Sequence, residues 1–224
     1  MYVVIAGGGL VGGELARKLL ANKHDVVVID SDRDTCDKLY TEMGLVAVCG
    51  CAARIDVLQE AGIDKADIVV AATPEDSENL ACAILAKSMD VHQIIVRMRN
   101  PDYQKAYDYT GVNAVVSVTD LMVDQIIMKI ENPKVQRVAA IGNGSVNIFL
   151  ITVPEGAKVA GMTICEVAKN PKFPQACIFI AVYSRKKGQI SRIVSDHVFG
   201  EGDEILLTVP VNDVKRVVDI LTAV

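Results

Sequence analysis

Tryptophan is absent from this 224-residue chain, and four Phe and six Tyr are its only other large rings. So few rings leave little from which to build the stacking platforms that single-stranded nucleic acid needs. No run reaches the roughly 18 to 20 uninterrupted apolar residues of a membrane-spanning helix. The opening Met1-Tyr2-Val3-Val4-Ile5-Ala6-Gly7 lacks the basic segment of a signal peptide, so a cytosolic protein is expected. Paired metal-ligand spacings are missing too. Of the six cysteines (36, 49, 51, 82, 165 and 177), only Cys49-Gly50-Cys51 form a close pair, with one intervening residue and no histidine nearby. All six lie in apolar stretches, which predicts buried reduced thiols rather than disulfides or zinc ligands.

What is present is enough for a packed core: 51% of residues are hydrophobic and 23% charged. The net charge of −5 is unevenly spread. Residues 1–133 hold 12 Lys and Arg against 20 Asp and Glu (−8), and residues 134–224 hold 11 against 8 (+3). An acidic larger half argues against a nucleic-acid groove there. The sign change suggests two regions, 1–133 and 134–224, and Asn132-Pro133 supplies a helix-breaking boundary between them.

The first region opens with a short run of β-formers, residues 2–6, which ends in Gly7-Gly8-Gly9-Leu10-Val11-Gly12. Helical spacing follows in Leu15, Ala16, Leu19 and Leu20, and a second apolar strand, 25–30, ends in Asp30, 18 residues beyond Gly12. Strand, glycine turn, helix and acid at this spacing form a dinucleotide-binding signature. Gly7 permits the tight turn, Gly9 leaves room for pyrophosphate, and Gly12 lets helix and strand approach. The helix N-terminus offers phosphates free N–H groups. Asp30 would accept hydrogen bonds from an adenosine ribose and repel a 2′-phosphate; helix capping is its alternative role.

Strand-like runs recur at 45–48, 67–72, 93–96 and 113–116, with helical stretches near 54–61, 76–88 and 102–109 between them. The pattern predicts a doubly wound parallel α/β sheet whose ligand lies where strand order reverses, past the first and fourth strands. Ala72 and Thr73 should therefore line the same cleft as Gly9. Arg97 and Arg99, two apart, should point to one side if the chain stays extended there, with phosphate binding, a subunit contact or a solvated ion pair as roles for Arg99.

Three strings go beyond the generic signature: Leu58-Gln59-Glu60-Ala61-Gly62-Ile63; Ala66 to Thr73 followed by Asp76 and Asn79; and Val96-Arg97-Met98-Arg99-Asn100-Pro101-Asp102-Tyr103. They resemble the TrkA type of the RCK family, regulators of potassium conductance. The resemblance implies a cytosolic, non-enzymatic regulatory subunit of Trk- or Ktr-type potassium uptake. It places Gly7, Gly9, Leu10, Val11, Gly12, Asp30, Ser31, Ala72, Thr73 and Arg99 at the nucleotide. It also implies a TrkH-like membrane potassium transporter as partner, reached from the inner face of the membrane, and a homo-oligomer of dimers building a tetramer or octameric ring. Nucleotide-triphosphate-binding relatives carry Arg and Glu where this chain has Leu10 and Thr119, and a Gly-Asp-Ala-Thr pattern reads Gly50-Cys51-Ala52-Ala53. These departures favour NAD(H) or an AMP-like ligand, with ADP and ATP as alternatives.

The segment 119–131, with Thr119 and Asp120 as expected caps, is apolar around most of its helical circumference, so more than one side must be covered. A partner subunit would do this, and in the family the corresponding helix packs across a dimer; an internal core helix is the alternative. The second region shows β-like runs at 135–141, 146–153, 176–183, 189–194 and 204–209 and helical ones at 164–169 and 212–223, an α+β lobe. It resembles the family's C-terminal lobe, which dimerises and in some members binds a small effector.

A small NAD-dependent oxidoreductase is the rival reading, because the glycine turn is shared. Tyr183 and Lys187 have the Y-x-x-x-K spacing of short-chain dehydrogenases, but their string runs from a strand into a Gly188 turn and cannot place both on one helical face. His24, His92 and His197 stand apart from any acid or nucleophile partner in the sequence. A nucleotide-driven switch needs none of these groups.

Overall fold

The computed structural model describes residues 1–131, 134–141, 146–185, 188–192 and 196–224. They form two compact units, Met1–Leu121 and Met122–Val224.

The first unit alternates β1 (Tyr2–Ala6), α1 (Leu10–Ala21), β2 (Asp25–Asp30), α2 (Arg33–Met43), β3 (Val46–Cys49), α3 (Ile55–Glu60), β4 (Ile68–Ala71), α4 (Asp76–Ser88), β5 (Gln93–Met98), α5 (Gln104–Thr110) and β6 (Ala114–Ser117). The strands are all parallel, in the order β3-β2-β1-β4-β5-β6. This is the doubly wound sheet that the sequence predicts, with strand ends shifted by a residue or two.

Its strands are apolar at consecutive positions because both faces are covered. Val4, Ala6, Val27 and Ile29 pack with Leu58, Ala83 and Tyr107 from α3, α4 and α5. Val3, Ile5, Val26 and Val28 point the opposite way, onto Ala16 of α1 and Leu39 of α2. With two helices on this second face, an apolar groove of about 310 Å³ remains beside α1, lined by Val3, Leu15, Ile68, Val70, Ile95 and Val116 among others.

Helix α6 (Val118–Glu131) follows β6. Its start is not capped by Thr119 or Asp120: Ser117 Oγ accepts from the Asp120 N–H at 3.3 Å, while the Thr119 hydroxyl donates to the Arg99 carbonyl at 2.7 Å. Leu121, Met122, Val123, Ile126, Ile127 and Ile130 are between 46% and 74% exposed, so an apolar helix face stands uncovered in the single chain.

The second unit contains β7 (Val135–Ile141), β8 (Val146–Thr152), α7 (Ile164–Ala168), β9 (Ile178–Ser184), β10 (Gln189–Arg192), β11 (Glu204–Thr208) and α8 (Val214–Leu221). Its strands are antiparallel, in the order β10-β9-β11-β8-β7. Phe149, Ile151, Val182, Ile205 and Leu207 form a buried layer against Val217 and Leu221 of α8 and Ile164 and Val167 of α7. The Asn132-Pro133 break, Lys187 and the end of the 189–194 run lie outside the described residues.

The expected burial of the cysteines holds for Cys36 and Cys82 alone. Cys49 and Cys165 are exposed and Cys51 and Cys177 half-buried. Cys49 and Cys51 sit where β3 runs out, and apolar sequence neighbours do not keep a side chain inside once the pleat ends.

Candidate functional site: a nucleotide cleft

Strand order reverses between β1 and β4, and the two chains leave the sheet in opposite directions from Ala6 and Ala71. The gap holds a cleft of about 500 Å³, within the usual range for small-molecule sites. Gly7, Gly9, Leu10, Val11, Asp30, Ser31, Ala72 and Thr73 all line it.

The glycines divide their work. Gly7 has φ +101°, and a Cβ there would press to 2.9–3.0 Å on the backbone of Ala72 and Thr73. Gly12 does not line the cleft; it lies behind it, where a Cβ would stand 1.8 Å from the Gly7 carbonyl oxygen. At Gly9 a Cβ would meet nothing within 4 Å, so the space kept clear there is space facing the cleft and not packing space.

Helix α1 starts beside Gly9, with Leu10 92% exposed, and has no acidic residue in its first turn, whereas α2 carries Asp34 there and α4 carries Asp76 and Glu78. Its free N–H groups and the positive end of its dipole therefore face the cleft without an internal counter-charge.

Asp30 is not a helix cap. Its Oδ2 accepts from the Gly8 N–H at 2.6 Å and its Oδ1 from the Asp32 N–H at 2.9 Å, and Asp32 caps α2 instead, accepting from Asp34 N–H and the Thr35 hydroxyl. The Thr35 hydroxyl bond, above all, holds the Asp32 carboxyl below the ordinary carboxylate range. Asp30 thus clasps the glycine turn through Oδ2 and the start of the next loop through Oδ1, and keeps the remaining lone pair of each oxygen for a ligand.

The opposite wall is set by buried polar side chains. Asn79, 1% exposed, accepts from the Thr73 N–H at 2.9 Å and donates to the carbonyls of Thr73 and Arg97, at 3.0 and 3.2 Å, tying the loop after β4 to the end of β5. Asp76 is 7% exposed and accepts from the Arg99 and Asn100 N–H groups at 3.0 and 2.8 Å, with the Tyr107 hydroxyl within 3.2 Å. Burial, then the Asp76 charge, raises the Tyr107 phenol well above its ordinary pKa. Asp76 and Asn79, which the sequence singles out, hold the loops rather than face the cleft.

Arg99 does not join the others: it lines a separate concavity with Pro74, Asp76, Asn100 and Thr119. The strand ends at Met98, so the alternation expected to align Arg97 with Arg99 stops between them. Arg97 is the arginine of the cleft. Its Nη1 lies 3.4 Å from the Ala72 carbonyl, its Nε is buried without a partner, and no carboxylate pairs with it among the described residues. Sequence reasoning also missed Gly50, Glu75 and Glu78, which line the cleft; Glu78 Oε1 accepts from the Ala52 N–H at 3.2 Å. The position of Glu75 and Glu78 just beyond Thr73-Pro74 was the available signal.

Residues 3–118 match the TrkA-N domain family. A Trk system potassium uptake protein TrkA homolog of Methanothermobacter thermautotrophicus is 32% identical, over 96% of this chain and 97% of its own length. A second TrkA homolog, of Archaeoglobus fulgidus, is 30% identical over 96% of this chain, which spans 48% of that longer relative. Among solved structures, a GsuK channel bound to NAD superposes on 98% of the chain and 39% of its own, with TM-score 0.64 and 22% identity. A GsuK structure bound to ADP does so over 59% and 35%, with TM-score 0.53 and 22% identity. The relatives are named for potassium uptake and not as oxidoreductases. With residues 3–118 matched and 96% of its length shared with the Methanothermobacter thermautotrophicus TrkA homolog, the chain belongs to the TrkA family.

Proposed function

We propose that the chain is a nucleotide-sensing regulatory subunit of a Trk- or Ktr-type potassium transporter, held in the cytoplasm at the inner face of the membrane by a TrkH-like partner. The observation that carries it is a cleft in which Gly9 opens onto the uncompensated start of α1 and Asp30 stands at the far end. Diphosphate would lie on the N–H groups of α1, and the adenosine ribose would bond Asp30, with Gly7, Leu10, Val11, Ser31, Ala72 and Thr73 around them. Glu75 and Glu78 add negative charge, Arg97 alone offsets it, and Leu10 contributes none. That balance favours NAD(H), then AMP or ADP, over ATP or a 2′-phosphorylated dinucleotide. NAD and ADP in the structurally similar GsuK channel are consistent with this order.

A switch works through unequal affinity for two conformations, and a difference of about 1–3 kcal/mol gives a 5- to 150-fold bias. For its subunits we place the domain boundary at 133/134, with α6 as the dimerising element. An uncovered apolar groove and an uncovered apolar helix on one chain are matched in character, so α6 of a second copy is the natural cover for the groove, and dimers would build the larger ring.

Calorimetric titration of NADH, NAD, AMP, ADP and ATP tests the assignment. Asp30→Ala should weaken the preferred ligand tenfold or more, about 1.5–3 kcal/mol for hydrogen bonds to a charged group. Unchanged affinity would refute the cleft, and a melting curve controls for the loss of the Gly8 bond. Oxidation of bound NADH by a panel of carbonyl substrates would instead revive the oxidoreductase reading.

A further inference from the structure

Two thiols flank the acidic end of the cleft. Cys36, in α2, is 6% exposed, and its Sγ lies 3.4 Å from the Asp30 carbonyl oxygen and 3.9 Å from that of Val48. Cys49 ends β3 as the cross-strand partner of Asp30; it is exposed, with its Sγ 4.0 Å from the Ser31 carbonyl oxygen. The two sulfurs thus lie on the carbonyls of adjacent residues, Asp30 and Ser31. Cys51, two residues on, is engaged elsewhere, its Sγ 3.3 Å from a Glu78 carboxylate oxygen. An accessible sulfur and a buried one are therefore carried on separate elements that bracket Asp30 and Ser31.

The geometry points to a thiol–disulfide exchange site formed by Cys36 and Cys49, taking small-molecule disulfides of the glutathione class. Cys49 is the sulfur that such a molecule can reach. Its thiolate attacks one sulfur of RS–SR, forms the mixed disulfide and expels RS⁻, which takes a proton from water. Cys36 then loses its proton to solvent and attacks the Cys49 sulfur, closing the Cys36–Cys49 bond and expelling the second RS⁻, again protonated. Two protein thiols are oxidised, one small disulfide is reduced to two thiols, and no further oxidant enters. Burial first, and then the neighbouring Cys49, push the Cys36 thiol up to about 11, so the second step quickens as pH rises. The resulting bond would pin α2 to the end of β3 across the segment that carries Asp30 and Ser31. The reaction is independent of what fills the cleft, so it stands or falls apart from the nucleotide reading.

The test is to incubate the full chain with oxidised glutathione, quench with acid, alkylate and map peptides by mass. The wild type should lose two hydrogens and yield a peptide pair linked through Cys36 and Cys49. Cys36→Ser should stop at a glutathione adduct on Cys49, Cys49→Ser should leave Cys36 unmodified, and Cys51→Ser should still form the link. An adduct on wild-type Cys49 as persistent as that of Cys36→Ser, a Cys49–Cys51 link, or no reaction at all would overturn the proposal. Melting curves of the three variants establish that each is folded.

Discussion

The two sheets of this chain solve the burial problem differently, and the difference explains why one of them makes a cleft. In the first unit, helices on both faces let β1 bury four of its five residues, and the segments that leave β1 and β4 in opposite directions open a gap where the order reverses. In the second, antiparallel strands bury one face, so β11 alternates buried with half-buried residues and its core is closed by α8. Continuous burial gives rigidity up to the last strand residue, which is what a ligand site at the strand ends requires. One-sided burial leaves the other face available to a neighbour.

The largest test of that contrast is Phe199→Ala in the second core, where the ring is 1% exposed. Such a deletion should cost about 3–5 kcal/mol in urea unfolding, yet leave nucleotide affinity untouched. A parallel fall in affinity would show that the cleft is not self-sufficient. Within the first unit, Gly12→Ala forces a Cβ onto the Gly7 carbonyl and should cost about 1–3 kcal/mol or more. Gly9→Ala should change stability by less than about 0.5 kcal/mol, because nothing is displaced, and still weaken nucleotide binding. If both variants lose stability equally, the division between packing glycine and ligand glycine is wrong.

Tyr107→Phe removes a buried hydroxyl whose oxygen lies 3.0 Å from the Asp76 carbonyl oxygen, and should cost roughly 1–2 kcal/mol by denaturant titration. The smallest effect belongs to the second unit. Glu166 closes a capping box on α7, and the Thr163 backbone N–H bond, first among its causes, lowers its pKa below the ordinary 4.5. Because the folded value is the lower one, the stabilisation is present above pH 4.5 and fades as pH falls through the folded value. The melting difference between wild type and Glu166→Gln should therefore shrink below that pH.

The fold of the first unit was legible because its signals are local: residues 2–6 and 25–30 read as buried strands whatever surrounds them, and Gly7 and Gly12 mark a strand-to-helix joint too tight for side chains at those positions. The cleft was legible to the same extent: spacing named Gly7, Gly9, Asp30, Ala72 and Thr73, and the family resemblance added Leu10, Val11 and Ser31. Arg99 was misplaced because strand alternation holds only while the strand lasts, and β5 stops at Met98. The Thr119 cap failed because the helix begins one residue earlier, handing the cap to Ser117.

Sequence by itself determined the parallel alternation, the glycine turn and the acid at the end of the second strand, since each follows from backbone sterics and the period of burial. Tertiary structure alone decided that Arg97 rather than Arg99 enters the cleft, that Asp76 and Asn79 brace loops, and that Cys36 and Cys49 come to the carbonyls of adjacent residues. Those outcomes depend on where elements stop and what lies across from them, distances that no spacing along one chain encodes.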